Sequence, residues 1–454
     1  MDSLSSERAQ TPVFVQGSTM RHVLVMTGTG AAGLIAIFIV DLISLLYISW
    51  LDNPSMTAGV GLATVVMFFT VSINVGLMIP IGALVSRALG ARQPDDARRL
   101  AASSSVLMGL IGIAVSVIAL IFLPQILTAM GASGQALDTA RTFLWIALPT
   151  NVLMSLGMAF STILRAAGDA KRSMYASLSV AIVTVLLDPV TIFVLDLQAD
   201  GAAWTINIAR VAYCYVGYRY VTRAHRLLGR PDVQSVMRDA KPFFAIAVPA
   251  VLTNLAAPAA NAFFTGIMAR FGDQAIAASA IVDRVTPVSF AGVFALAGAI
   301  GPVLGQNWGA RRYDRMRQTL KDSLTFMIVY VLSVWLLLVL LQQPIVIAFN
   351  APPLTAELVQ FFCQLSGFIW FFISLVFVAN ASFNNLGYPL LSTFFNWGRA
   401  TLGMIPFAYY GAQIGGAKGA IVGIGAGSIV FGIAAIITAF WTIRRLERQA
   451  VPTP

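Results

Sequence analysis

Runs of apolar residues about as long as a membrane is thick recur along this chain, from residue 22 to residue 443. A helix needs ~20 such residues to cross the hydrocarbon core, so this one feature leaves little choice of fold. Composition agrees: 58% of the residues are hydrophobic and 11% charged, against roughly 25% charged in an average soluble domain. The chain reads as an all-α polytopic membrane protein. Breaks at charged or Gly- and Pro-rich joints predict twelve transmembrane helices, near 22–50, 57–86, 101–130, 139–164, 173–195, 201–222, 243–270, 276–306, 319–349, 356–384, 391–412 and 416–443.

The basic residues orient these spans. Of the 29 Lys and Arg, Arg141, Arg270 and Lys418 lie at odd-numbered joints and Arg210, Arg284 and Arg399 inside spans; all the others fall in the N-terminal segment, the even-numbered joints and the C-terminal tail. The positive-inside rule then puts both termini in the cytoplasm. It assigns the +10 net charge to topology and membrane lipids, not to nucleic acid.

TRAHRLLGRPDVQSVMRDAKP (222–242) separates six spans from six. The predicted organisation is a cytoplasmic segment 1–20, an N-terminal lobe 21–222, an interlobe linker 223–242, a C-terminal lobe 243–443 and a cytoplasmic tail 444–454. The halves also share sequence. GARQPDDAR starts at 90 and GARRYDRMR at 309, LRAAGD at 164 and FNNLGY at 383, FLPQIL at 122 and QQPIVI at 342, offsets of 219 or 220. Six spans per repeat give both halves the same direction in the membrane. The implied arrangement is two six-helix lobes related by a pseudo-twofold axis along the membrane normal, a design of secondary transporters that hold substrate between lobes.

Other classes lose support. The first 20 residues have no cleavable-signal pattern, so helix 1 is expected to act as its own insertion signal. Cys214 and Cys363 lie in spans without metal or redox spacing, which makes them packing residues. His22 and His225 form no cluster for a metal or for acyl transfer, and no cofactor and no enzyme activity are expected.

Within the spans the acids distinguish the halves. Asp41, in FIVDLISLLYIS, and Asp188, in SVAIVTVLLDPVTIFVL, shift by 219 onto Ala260 and Phe407. A charged aspartate at mid-membrane costs ~2.5–3.5 kcal/mol on insertion scales, so each marks a functional group or a carboxyl satisfied by a neighbouring helix. Such a carboxylate can bind or release a proton as water access changes. Thr184 is one turn before Asp188, and Pro189 lacks the N–H that would bond the Val185 carbonyl. The cluster fits a proton or, with more oxygens, Na⁺; a capped proline kink is the structural alternative. In helix 1, Ser44 and Tyr47 extend a polar stripe from Asp41, and Gly28, Gly30 and Gly33 permit either bending or close packing.

The second half offers a candidate substrate cavity: the charge pair Asp283 and Arg284, Arg399, the amides Asn254, Asn261, Asn380 and Asn384, and the aromatic residues Phe290, Trp370, Phe371, Phe372 and Trp397. Aromatic faces can stack on flat molecules or hold cations, although packing or lipid contact explains any single ring as well.

The stretches GLATVVMFF, ALVSRALGAR, LRAAGDAKRSMY, LLDPVTIFVL…GAAW, AVPAVLTNL, MARFGDQAIAA and GPVLGQNWGARR together resemble the MATE (multidrug and toxic compound extrusion) family over about residues 20–440. The resemblance implies export of small organic, cationic or amphiphilic, substrates from a bacterial inner membrane in exchange for H⁺ or Na⁺, by a monomer that alternates its access. The family's helix 5 carboxylate matches Asp188. Its helix 1 aspartate falls near Ser44, one turn past Asp41, and the threonine of its following helix falls at Ile206. With Thr184 where an asparagine is usual, two oxygen ligands are weakened, so H⁺ is the expected coupling ion and a weak Na⁺ site at Asp41 and Asp188 the alternative. The second-half acids of other branches are missing, which places coupling in the first lobe. Other readings are a flippase for a lipid-linked saccharide or amphiphile, which would want more basic residues in its spans, and a non-transporting receptor or assembly protein.

Overall fold

A computed structural model of the protein describes residues 12–51 and 53–450, and among them every regular element is helical. The predicted terminal segments therefore lie partly outside the described residues. The helices are α1 (Thr19–Ser49), α2 (Pro54–Gly90), α3 (Pro94–Ile121), α4 (Gly134–Ala166), α5 (Ala170–Val194) and α6 (Gln198–Arg219). There follow α7 (Val233–Met268), α8 (Asp273–Ser289, bent by 47° at Phe290 into Ala291–Gly309), α9 (Tyr313–Ala348) and α10 (Pro353–Asn385). Pro389–Ala450 holds the last two, α11 (389–414) and α12 (417–450), parted where Gly415 and Gly416 leave helical φ and ψ.

Among the described residues nine helices are by themselves long and apolar enough to cross a membrane, and the bent α8 pair makes a tenth. Pro389–Ala450 contains two spans at its glycine break, and α6, diluted by Asp200, Arg210 and Arg219, supplies the remaining one. The predicted span 101–130 is interrupted: α3 stops at Ile121 and a short helix, Leu123–Ala129, starts with Pro124 in its first turn. Sequence signals for the starts are physical ones. Asn53 caps α2 by accepting from Met56 N at 3.0 Å with Pro54 beside it, and Asp169 caps α5 by accepting from Arg172 N.

By packing, the chain divides into one unit holding Ala32–Val251 and another holding Phe14–Ala31 with the chain from Leu252 onward. The boundary lies inside α7, beyond the linker read from charge, because residues 233–242 are already helix and Phe243, Ile246 and Ala247 pack with Leu84 and Ile163. A second core in that unit joins Ile48, Leu144 and Ile192. The other unit is built on α10, whose Trp370, Val376 and Phe383 share a core with Phe290, Leu320 and Ile443. Cys363 is buried in it and Cys214 packs against the first, so both thiols are apolar fillers.

The internal repeat is written in the backbone. Arg92 (φ 58°) and Arg311 (φ 56°), Gly168 (φ 85°) and Gly387 (φ 83°), Gly131 (φ 83°) and Asn350 (φ 45°) are left-handed pairs at the offset of 219. The closing hydrogen bonds correspond too: Arg92 N donates to Leu89 O and Gln93 N to Ala88 O, as Arg311 N does to Trp308 O and Arg312 N to Asn307 O. A left-handed residue that satisfies the last carbonyls is how a helix ends before the chain reverses. The same stops recur because the same joints do.

Candidate functional site

Asp188 lies where α5 changes geometry. The α-helix runs to Pro189 and continues as one π-helical turn, Val190–Val194, a widening found often at functional positions. Asp188 is 2% exposed. Ser44 Oγ donates to its Oδ2, and the hydroxyl of the fully buried Thr205, on α6, also hydrogen-bonds to the carboxylate. Thr205 Oγ1 is 2.9 Å from Thr191 Oγ1, and Thr191 donates to Leu187 O at 3.0 Å. Asp41, one turn before Ser44, is exposed and feels the charge of Asp188.

The structure thus brings Asp41, Ser44 and Asp188 together and revises three other readings. Ile206 packs in the apolar core with Ile192 and Ala203, while its neighbour Thr205 supplies the hydroxyl thought missing. Thr184 shares the face but donates to Val180 O at 2.9 Å. Tyr47 leaves the polar stripe: its ring packs on Trp50 and Phe193 with centroids 5.5 and 5.7 Å away. α1 is also an unbroken helix; a Cβ on Gly30 would stand 3.3 Å from Ala295 Cβ and one on Gly33 3.2 Å from Ser177 Cβ, so these glycines serve packing, and Gly28 faces open space.

Two further polar networks escaped sequence reading. Asn74 Nδ2 donates to Asn151 Oδ1 (2.9 Å) and Ser155 Oγ to Asn74 Oδ1 (2.8 Å), which ties α2 to α4. Where Pro149 breaks α4, Arg210 donates to Ala147 O and to Thr150 Oγ1, and Asn207 Nδ2 to Ile146 O. Arg210 is therefore a structural cation that satisfies the Ala147 carbonyl, left without its helical donor where the 3₁₀ turn at Pro149 interrupts α4.

In the other unit the aromatic part of the proposed cavity is core. Phe290 is fully buried and stacks on Trp370, itself 8% exposed, at 4.4 Å. Phe371 and Phe372 pack edge to face at 5.1 Å, and Trp397 Nε1 donates to Leu252 O at 2.9 Å as a tie between helices. Asp283 and Arg284 are both exposed on α8, and no ion pair joins them among the described residues, as adjacent helical positions diverge. Asn254 is half-buried and hydrogen-bonded; Asn261 is exposed, its carbonyl accepting from Thr265. The amide oxygens of Asn380 and Asn384 and the Nε of Arg399 are sealed from solvent with no hydrogen-bond partner among the described residues.

The segment before α1 is clasped as well. Phe14, 1% exposed, receives Asn307 and donates its N–H to Gln306 Oε1 at 2.9 Å, while Arg315 donates to the carbonyls of Phe14, Gln16 and Gly17. Thr19 Oγ1 donates to Asp322. A cavity of about 580 Å³ lies among Ser18, Thr19, Arg312, Asp314 and Asp322.

The family model described as MatE matches residues 31–190 and 249–410. The FAD transporter of Shewanella oneidensis is 26% identical over 424 residues, 91% of this chain and 93% of that protein. The multidrug export protein MepA of Staphylococcus aureus is 26% identical over 294 residues, 62% of this chain and 63% of that protein. Among solved structures, an outward-facing multidrug resistance MATE family transporter of the MOP superfamily superposes with a TM-score of 0.89 at 19% identity, covering 96% of this chain and 98% of that one.

Proposed function

This chain belongs to the MATE family of multi-pass membrane transporters, and from that premise we propose that it exports small organic molecules across a bacterial inner membrane by proton antiport, with both termini cytoplasmic and Asp188 as the coupling carboxylate. The observation that carries the reading is the buried Asp188 held by the hydroxyls of Ser44 and Thr205, with Asp41 beside it.

A hydroxyl is both donor and acceptor. It donates to an ionised carboxylate and turns to accept from a protonated one, so Ser44 and Thr205 can follow one proton on and off Asp188 while the heavy atoms stay in place. Na⁺ would instead need their lone pairs together with further oxygens. Protonation from outside shifts α1, which supplies both Asp41 and Ser44, toward a state of lower substrate affinity; the proton leaves inside after access has alternated. The membrane potential contributes ~2.3 kcal/mol per charge per 100 mV to this cycle.

The substrate has two readings. MepA by its name favours drugs; the FAD transporter, aligned along more of this chain, favours a flavin nucleotide. Reciprocal linkage supplies the experiment. Addition of ethidium or riboflavin 5′-phosphate to the purified protein in weak buffer should release protons, and Asp188→Asn should abolish the release while binding persists. Substrate binding without proton release in the unmodified protein would refute proton antiport.

A further inference from the structure

Arg399 begins ten residues into α11, which starts at Pro389. At ~1.5 Å per residue that is ~15 Å along the axis, about half the ~30 Å hydrocarbon core. The helix widens there into a π-helical turn, Arg399–Gly403. The turn is held from two sides. A Cβ on Gly427 of α12 would lie 1.5 Å from Gly403 O and one on Gly398 2.3 Å from Phe431, so the backbones are in contact, while Ala400 packs with Ala256 and Ala260 of α7.

In this fixed position Arg399 has no counter-charge among the described residues. Its Nε is sealed and unpartnered, it enters no ion pair, and no carboxylate exerts a charge on it among the described residues. Other arginines of the chain show the contrast: Arg210 donates to Ala147 O and Thr150 Oγ1, Arg165 to Thr162 Oγ1, and Arg99 pairs with Asp96 and Asp239. An intramembrane cation that packing does not satisfy marks a place for a partner that arrives. The adjacent helix α10 adds acceptors without donors. Ser392 Oγ bonds Asn380 O, which aligns the two helices, so Asn380 stands about two turns, ~10 Å, along α11 from Arg399, and Asn384 one turn farther.

We propose that Arg399 receives the anionic group, a phosphate or carboxylate, of the transported molecule, with Asn380 and Asn384 bonding its neutral polar body. This rests on the transport reading and replaces the organic cation expected from sequence, since a cation would add like charge beside an uncompensated guanidinium. A guanidinium matches either oxyanion through paired N–H donors.

The test compares riboflavin 5′-phosphate with riboflavin, which differ by the phosphate alone, by fluorescence binding to the full-length protein in nanodiscs. The unmodified protein should prefer the phosphate ester by ~10-fold or more. Arg399→Gln should erase the preference and leave riboflavin affinity unchanged, while Arg399→Lys, a control for folding and charge, should keep part of it. Asp188→Asn should keep the preference and lose only proton-driven transport, so failure of the coupling reading is seen separately. Equal binding of the two flavins by the unmodified protein, or a preference that survives Arg399→Gln, would overturn the proposal. Nanodiscs of phosphatidylcholine with and without phosphatidylglycerol settle the source of the anion: a preference that phosphatidylglycerol abolishes assigns Arg399 to a lipid headgroup and also overturns it.

Discussion

Ser44 Oγ, on the first helix, donates a hydrogen bond to Asp188 Oδ2, on the fifth. Two helices whose acids lie far apart in sequence thereby share one ionisable centre, and the hydroxyl of Thr205 adds a third helix to it. Ser44→Ala is expected to slow proton-coupled exchange ~10-fold, the effect of one lost hydrogen bond to a charged group, and Ser44→Thr to restore it. Thr205→Val should act like Ser44→Ala. Thr184→Val should stay within ~2-fold of the unmodified rate, since the Thr184 hydroxyl bonds Val180 O and no contact with Asp188 is lost. Initial rates in proteoliposomes decide among these outcomes.

The joint before α5 carries its own pH signature. Burial opposes ionisation of Asp169, but hydrogen bonds from His225 and from the backbone and guanidinium of Arg172 outweigh it and hold the carboxyl at about 2. A carboxyl depressed in the folded state stabilises above its unfolded pKa of ~3.9, and that contribution fades as pH falls toward the folded value. Asp169→Asn should therefore cost about 1–2 kcal/mol at neutral pH, allowing for solvent screening, and the cost should vanish near the folded pKa. Thermal unfolding of both proteins in detergent across this range gives the comparison.

Glycine positions predict opposite effects of one substitution. Gly427→Ala puts a methyl 1.5 Å from Gly403 O and should destabilise by ~1–3 kcal/mol or more. Gly28→Ala meets nothing within 4 Å and should stabilise α1 by up to ~1 kcal/mol, with exchange intact. A loss of exchange in Gly28→Ala would show that α1 bends there after all.

Arg315 is the clasp on the segment before α1, with three carbonyls on one guanidinium. Arg315→Ala should speed amide exchange over residues 13–18 by ~10-fold or more while α10 stays protected. Unchanged exchange there would mean that Phe14, buried and bonded to Gln306, suffices.

Much of the fold was legible because its determinants are local. Apolar length fixes the spans, and the GAR and AGD joints carry the left-handed stops that recur at the repeat offset. Asp41, Ser44 and Asp188 were legible for the same reason: a polar atom in an apolar helix needs a partner. The hydroxyl beside Asp188 was misplaced by one residue, at Ile206 instead of Thr205, because the polar start of α6 gives no register from which to count. Phe290 and Trp370 were misread as cavity residues because an aromatic side chain has the same sequence signature in a core as on a wall, and only their stacking in the core reveals which it is. The unsatisfied Arg399 was visible as a charge but not as an unpaired one. Pairing is a property of neighbours from other helices, which one sequence does not contain.

The central claim is that Asp188 couples export to protons. In proteoliposomes free of Na⁺, an imposed pH gradient should drive riboflavin 5′-phosphate transport by the unmodified protein, and Asp188→Asn should bind it yet show no response to the gradient. Gradient-driven transport that persists in Asp188→Asn, or transport by the unmodified protein that follows a Na⁺ gradient and ignores the pH gradient, would contradict the account.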